Sequence, residues 1–135
     1  MRRDIRLYIE AELRHYHDTK RDYNLLREEL MATGTDSTTE RIGSTPCRVS
    51  KPTEQSAVKL VTNPRLRNMD AVLSAIEKVL FTLEPIEQKF VKLYYWDRRF
   101  RMEGVAEELN CHRATLYRWR DKICYSIAEH LGLLN

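Results

Sequence analysis

The sequence predicts an all-α protein, and three observations carry that expectation. Apolar residues recur every three to four positions through most of the chain, the period of helices lying on a core. Helix punctuation sits between these runs: Asn63-Pro64, Glu84-Pro85 and Gly132 are start and stop signals. No stretch of any length shows the strict alternation of a half-buried strand. The expected order is a long N-terminal helix, a linker, a middle helical segment and a C-terminal helix-turn-helix.

Residues 2–32 read as one helix, with no Gly or Pro among them and Leu, Glu, Arg and Ala dominant, all good helix formers. Ile9, Leu13, Tyr16, Lys20, Tyr23 and Leu30 fall near one stripe, with Ile5 and Leu26 beside it. Gly34 is the expected stop. Nothing local covers the stripe, so the 1–33 helix is expected either to fold back on residues 65–81 or to dimerise. Tyr8, Tyr16 and Tyr23 suit a core or a protein–protein contact, apolar in body and polar at the tip. Residues 34–52 carry Gly34-Thr35-Asp36-Ser37-Thr38-Thr39 and Gly43-Ser44-Thr45-Pro46, turn and linker material. A flexible linker is expected there, the alternative being a basic arm of Arg41, Arg48 and Lys51 on phosphate.

Residues 53–135 are expected to form one helical domain. A short helix over 53–62 comes first. Asn63 then reads as an N-cap and Pro64 as the first helical residue of a helix to about Phe81, its apolar face made by Leu66, Met69, Val72, Leu73, Ile76, Val79 and Leu80. Pro85 opens the next helix, whose core candidates are Ile86, Phe90, Val91, Leu93, Tyr94 and Tyr95, and Trp96-Asp97-Arg98-Arg99-Phe100-Arg101 ends it. A helix from Met102 to Leu109, a turn at Asn110-Cys111-His112 and a helix from Arg113 to Leu131 complete the chain.

Composition narrows the function. Of 135 residues, 32% are charged and 42% hydrophobic, and the formal net charge is +3. That total says little, but its distribution says more. Residues 1–33 hold seven basic and seven acidic side chains, whereas 41–70 hold six against two and 98–122 seven against four. The positive excess therefore lies in the middle and late chain, where it can meet phosphate. No apolar run is long enough to span a membrane, and no signal peptide follows the N-terminus, so a cytoplasmic protein is expected. Three irregularly spaced cysteines, Cys47, Cys111 and Cys124, make no disulfide framework. Cys111 and His112 with Cys124 and His130 fit no ordinary zinc spacing, and His15 and His17 lie two apart on a helix and diverge. No phosphate loop, nucleophile elbow or His–carboxylate motif is present. No cofactor, metal or enzymatic activity is expected.

The informative stretch is Val105 to Arg120. A helix-turn-helix needs a small residue where its helices cross, and Ala106 supplies it. Val105, Leu109, Cys111, Leu116 and Trp119 supply the apolar surroundings. Asn110 suits the left-handed position at the turn. His112, Arg113, Ala114, Thr115, Tyr117, Arg118 and Asp121 make the polar face of the second helix, whose first turns would enter the major groove of double-stranded DNA. Arg113 or Arg118 can bond guanine O6 and N7, and Ala114 or the Thr115 methyl can touch a thymine methyl. Arg98, Arg99, Arg101, Arg120 and Lys122 fall nearer phosphates. The plain alternative is a helical hairpin with a solvated basic face.

Glu84-Pro85-Ile86-Glu87-Gln88-Lys89-Phe90-Val91-Lys92-Leu93-Tyr94-Tyr95, followed by this hairpin, resembles region four of sigma factors. The wider chain, about 51–134, resembles RinA/ArpU-type phage transcriptional regulators. The shared features are Lys51-Pro52-Thr53-Glu54, Ala75-Ile76-Glu77-Lys78-Val79-Leu80, Tyr94-Tyr95-Trp96-Asp97-Arg98, Tyr117-Arg118-Trp119-Arg120-Asp121 and Ile127-Ala128-Glu129-His130-Leu131-Gly132. Asn110-Cys111 departs from the Gly or His with Val or Ile usual there, and the loop from Tyr95 to Gly104 is slightly short. The resemblance implies a sequence-specific transcription regulator that activates phage late genes, with RNA polymerase as a second partner and a homodimer as the acting form. Two other readings remain: a small terminase-like DNA-packaging protein, and a polymerase-binding factor that does not read DNA.

Overall fold

The computed structural model describes residues 1–39 and 62–134, the side chains of 33–39 excepted. These residues are mostly helical, with no strand among them. In chain order the elements are α1 (Arg3–Arg14), α2 (Tyr16–Thr39), α3 (Pro64–Thr82), α4 (Pro85–Val91), a π-helical turn (Lys92–Trp96), α5 (Met102–Leu109) and α6 (Arg113–His130). The chain divides into two compact units: unit 1 is Met1–His17 with Val72–Asn135, and unit 2 is Asp18–Ala71.

Two sequence expectations change here. The single helix over 2–32 is interrupted at His15, which closes α1. Gly34 does not stop the following helix, which runs on to Thr39 and takes the first residues of the expected 34–52 linker. The rest of that linker, its arm of Arg41, Arg48 and Lys51, and the 53–62 helix up to Thr62 lie outside the described residues.

Local chemistry explains most helix ends. The Asn63 side chain accepts the Leu66 backbone N–H at 3.0 Å and so caps α3. At the other end of α3 the Gln88 amide reaches the carbonyls of Leu80 and Leu83 at 2.9 and 3.2 Å, and Pro85 occupies the first turn of α4. Gly132, at φ 70°, ends α6 with paired bonds from Leu133 to Ala128 and from Gly132 to Glu129, the arrangement that answers the last orphan carbonyls of a helix.

In unit 1, α1 packs on α6 and on the π-turn, and α5 packs on α6, α4 and the π-turn. Ile9 and Leu13 of α1, Phe90 and Val91 of α4, Tyr95, Val105, Leu116, Ile123, Cys124, Ile127 and Ala128 have no exposed surface. Each large apolar side chain among them contributes about 1.5–3 kcal/mol by leaving water. Aromatic rings hold the centre: Phe90 stacks on Tyr94 at 5.6 Å and meets Trp119 of α6 edge-on at 6.1 Å.

The break at His15 has a tertiary cause. The carbonyl of Leu13 accepts the Trp96 indole N–H at 3.1 Å, and that of Arg14 accepts the Arg98 guanidinium at 2.9 Å. Both are end carbonyls of α1, where the intrahelical bonds run out; Leu13 also accepts a backbone N–H at the cap, and a cation at a helix C-terminus is favoured by the helix dipole. Arg98 reaches this point from a left-handed backbone, φ 55°, which non-glycine residues adopt at some cost. Trp96 also stacks on Tyr16 at 5.6 Å, while the Tyr16 hydroxyl donates to Glu77 of α3 at 2.8 Å. Deeper in, Glu10 is 5% exposed and accepts the Tyr95 hydroxyl at 2.9 Å.

In unit 2, the Tyr23 hydroxyl of α2 meets the Asp70 carboxylate of α3 at 3.4 Å. Leu66 is buried, and Leu26, Leu30 and Met69 are half-buried.

Tyr95→Phe leaves the Glu10 carboxyl without its donor in the core. It should destabilise the chain by about 1–3 kcal/mol, read as a lower urea midpoint. Alkaline pH gives a second check. Burial, and after it the nearby Glu10, holds the Cys124 thiol up at about 12 against an ordinary 9.0. Burial likewise raises the Tyr95 hydroxyl far above its ordinary value. The unfolded chain releases these protons first. Stability is therefore complete below about pH 9 and falls as pH climbs towards 12, and Tyr95→Phe with Cys124→Ala should flatten that fall.

Candidate nucleic-acid interface

The candidate site is built on α5, α6 and the turn between them. α5 ends at Asn110, which lies in the left-handed region at φ 54°, ψ 46°. The Cys111 N–H returns to the Ala106 carbonyl at 2.9 Å, and the Asn110 N–H to Glu107 at 3.2 Å. This pair of bonds closes α5 and lets α6 leave at once in a new direction. Ala106 and Val105 are buried beneath the turn with Leu116. Cys111 is half-buried, its thiol 3.3 Å from the Leu109 carbonyl. His112 is the N-cap of α6 and exposed, and its carbonyl accepts the N–H groups of Thr115 and Leu116 at 3.0 and 3.3 Å.

The buried residues of α6 are Leu116, Ile123, Cys124, Ile127 and Ala128. Opposite them, at helical spacing, Ala114, Arg118, Asp121, Lys122 and Tyr125 are exposed on one stripe. Arg113 is exposed at the first turn, Tyr117 is half-buried at the edge of the stripe, and Thr115 is half-buried away from it. Tyr125, with 51% of its surface exposed, escaped the sequence reading. It lies four residues after Asp121 and seven after Arg118, the spacing that would have found it.

The seven basic candidates differ in how far they are already engaged. The Arg113 guanidinium bonds the Glu103 carboxylate at 2.8 Å. Arg120, with 17% of its side chain exposed, bonds Asp121 at 2.9 Å and lies over the Tyr117 ring at 4.8 Å. Burial opposes its charge, but Asp121 outweighs burial and leaves its pKa raised. The Lys122 ammonium holds both oxygens of Glu87, a residue 3% exposed on α4, at 3.1 and 3.2 Å. Arg98 is spent on the end of α1. Arg99, Arg101 and Arg118 are exposed, and among the described residues no hydrogen bond or ion pair engages them. The stripe therefore gathers Ala114, Arg118 and Asp121 as expected, whereas Arg98 and Arg120 serve the fold and Lys122 serves both faces.

Comparison with known proteins follows from the whole chain rather than the hairpin alone. Residues 9–129 match the model of DUF722, a family described as a protein of unknown function. The chain belongs to the DUF722 family. It is also 26% identical over 125 residues to the transcriptional activator rinA of Staphylococcus phage phi11, an alignment covering 92% of this chain and 88% of that protein. No solved structure matches. These two matches bear out the RinA-type resemblance. The DUF722 match begins at Ile9, inside α1, so it takes in the helix that packs on α6 as well as the hairpin. Among the described residues no helix is long and apolar enough to cross a membrane.

Substitutions at three positions test this framework in the DUF722 chain. Asn110→Ala places a β-carbon residue without a compensating polar side chain in the left-handed region and should cost about 1–2 kcal/mol. Asn110→Gly should match or exceed the parent in thermal melting. Lys122→Ala strands the buried Glu87 and should lower stability by about 1–3 kcal/mol, whereas Arg118→Ala should leave the melting temperature unchanged.

Proposed function

We propose that this protein is a sequence-specific DNA-binding transcription regulator, an activator of phage late genes, that reads the major groove with α6 as the second helix of a helix-turn-helix. The observation that carries the reading is the exposed stripe of Ala114, Arg118, Asp121 and Tyr125 on α6, set opposite a fully apolar inner face and introduced by a tight turn at Asn110. The activator name of the Staphylococcus phage relative supports it. Arg118 is the primary base reader, since its guanidinium is exposed and uncommitted, and bidentate contact with guanine is the commonest specific pairing. Arg99 and Arg101, beside the start of α5, contact phosphates. Ala114 meets a thymine methyl.

The acting form in this reading is a homodimer on two half-sites. Its contact lies in α2 beyond His17, where Leu25 is 52% exposed, because Ile9 and Leu13 of α1 are consumed inside unit 1. RNA polymerase is the second partner, and the setting is the cytoplasm of the bacterial host.

The test is selection of DNA fragments by the purified full chain at ~150 mM salt, where non-specific phosphate binding is weakened. Enrichment of a short motif upstream of an operon supports the reading; ring-sized particles bound within a packaging gene, or no enrichment, would overturn it. On the enriched site Arg118→Ala should lose about 1–3 kcal/mol of discrimination at one base pair. Arg99→Ala or Arg101→Ala should weaken binding to all sequences alike and lower the salt slope by about 1.

A further inference from the structure

The base-reading face has one arginine already tied to a neighbouring helix. Arg113 is the first residue of α6, where a recognition helix meets the groove, and its guanidinium bonds Glu103 of α5 at 2.8 Å. Both side chains are about 60% exposed, 59% for Arg113 and 60% for Glu103. An exposed ion pair adds little to stability, so the pair has no strong structural role. Its position suggests another one. A carboxylate beside a DNA-facing helix repels phosphate, and it also restricts an arginine that would otherwise sample many phosphates.

We propose that Glu103 is a specificity-determining positioning residue, which holds the Arg113 guanidinium ready for a single base and withholds it from the backbone. This inference rests on the DNA-reading function proposed above. The Glu103 carboxyl stays ionised well below the usual carboxylate range: its own backbone N–H, at the start of α5, is the first cause, and Arg113 the second. Arg118, by contrast, has no partner to orient it before contact. The two arginines differ in kind: Arg113 arrives pre-positioned, and Arg118 is ordered by the DNA.

The experiment is selection from a randomised duplex library at ~150 mM salt by the full chain and by Glu103→Gln, Arg113→Ala, Glu107→Gln and Glu103→Gln with Arg113→Ala. Glu107 is an exposed acid of the same helix without a bond to Arg113, so it controls for loss of one negative charge. Glu103→Gln and Glu107→Gln should both raise affinity for unselected DNA a few-fold and steepen the salt dependence. Only Glu103→Gln should also relax preference at one base position, roughly ten-fold, and that position should be the one relaxed by Arg113→Ala. The double variant should lose no more there than Arg113→Ala alone. If Glu103→Gln keeps the parental preference, or relaxes a position Arg113→Ala leaves intact, the positioning role is wrong while DNA reading stands. If the parent chain itself enriches no motif, DNA reading falls and this role with it. Thermal melts of all variants confirm that a lost preference is not a lost fold.

Discussion

A carboxyl group on the inner face of a helix has to be met by hydrogen-bond donors, or the helix cannot bury that face. Glu10 imposes this constraint on unit 1. Its neighbours Ile9 and Leu13 are fully buried, so Glu10 enters the core with them. The donor is the Tyr95 hydroxyl, and the π-turn is what brings Tyr95 there. The wide turn, closed by the Asp97 N–H on the Lys92 carbonyl at 2.8 Å, resets the helical phase after α4. Phe90 and Tyr95 can then both face the core, while Trp96 and Arg98 fall on the end carbonyls of α1. The partner of the buried acid and the side chains that close the end of α1 thus all come from the π-turn and the residues just after it.

α6 inherits its rigidity from the same arrangement. Its inner face packs against α1 and α5 together, and Lys122 ties it to the buried Glu87 of α4. A helix held from three sides keeps its exposed side chains in fixed relative positions, which suits the proposed role of matching the spacing of base pairs. The exposed stripe and the core are two faces of one helix, and the second is what gives the first its rigidity.

Much of this was legible because it rests on local chemistry. Asn63-Pro64, Pro85, Asn110 and Gly132 each mark an end through their own backbone preferences or caps, and the helices between them follow. The outward face of α6 was legible from periodicity, and Tyr125 belongs to the same stripe at spacings of four and seven from Asp121 and Arg118. The interruption at His15 was not legible, since residues 12–18 contain no breaker and the cause lies in Trp96 and Arg98. The π-turn leaves no mark in composition for the same reason. Gly34 misled because glycine inside a helix costs only about 0.5–1 kcal/mol, which neighbouring helix formers can offset. The state of each arginine was equally hidden: sequence lists seven cations, but only the fold reveals that Arg98 caps a helix and that Arg113 is held by Glu103.

The bonds joining α1 to the segment around the π-turn span 83 to 85 residues of sequence. During synthesis α1 is made long before the side chains that answer its carbonyls and its buried acid. Closing so long a loop is entropically costly at first and returns little until many contacts form together. α6 also sits late in the chain and leans on this early one. Unit 1 therefore cannot complete its core until the last helix is made: a chain truncated before α6 leaves the inner face of α1 only partly covered, and the fold closes in a late step.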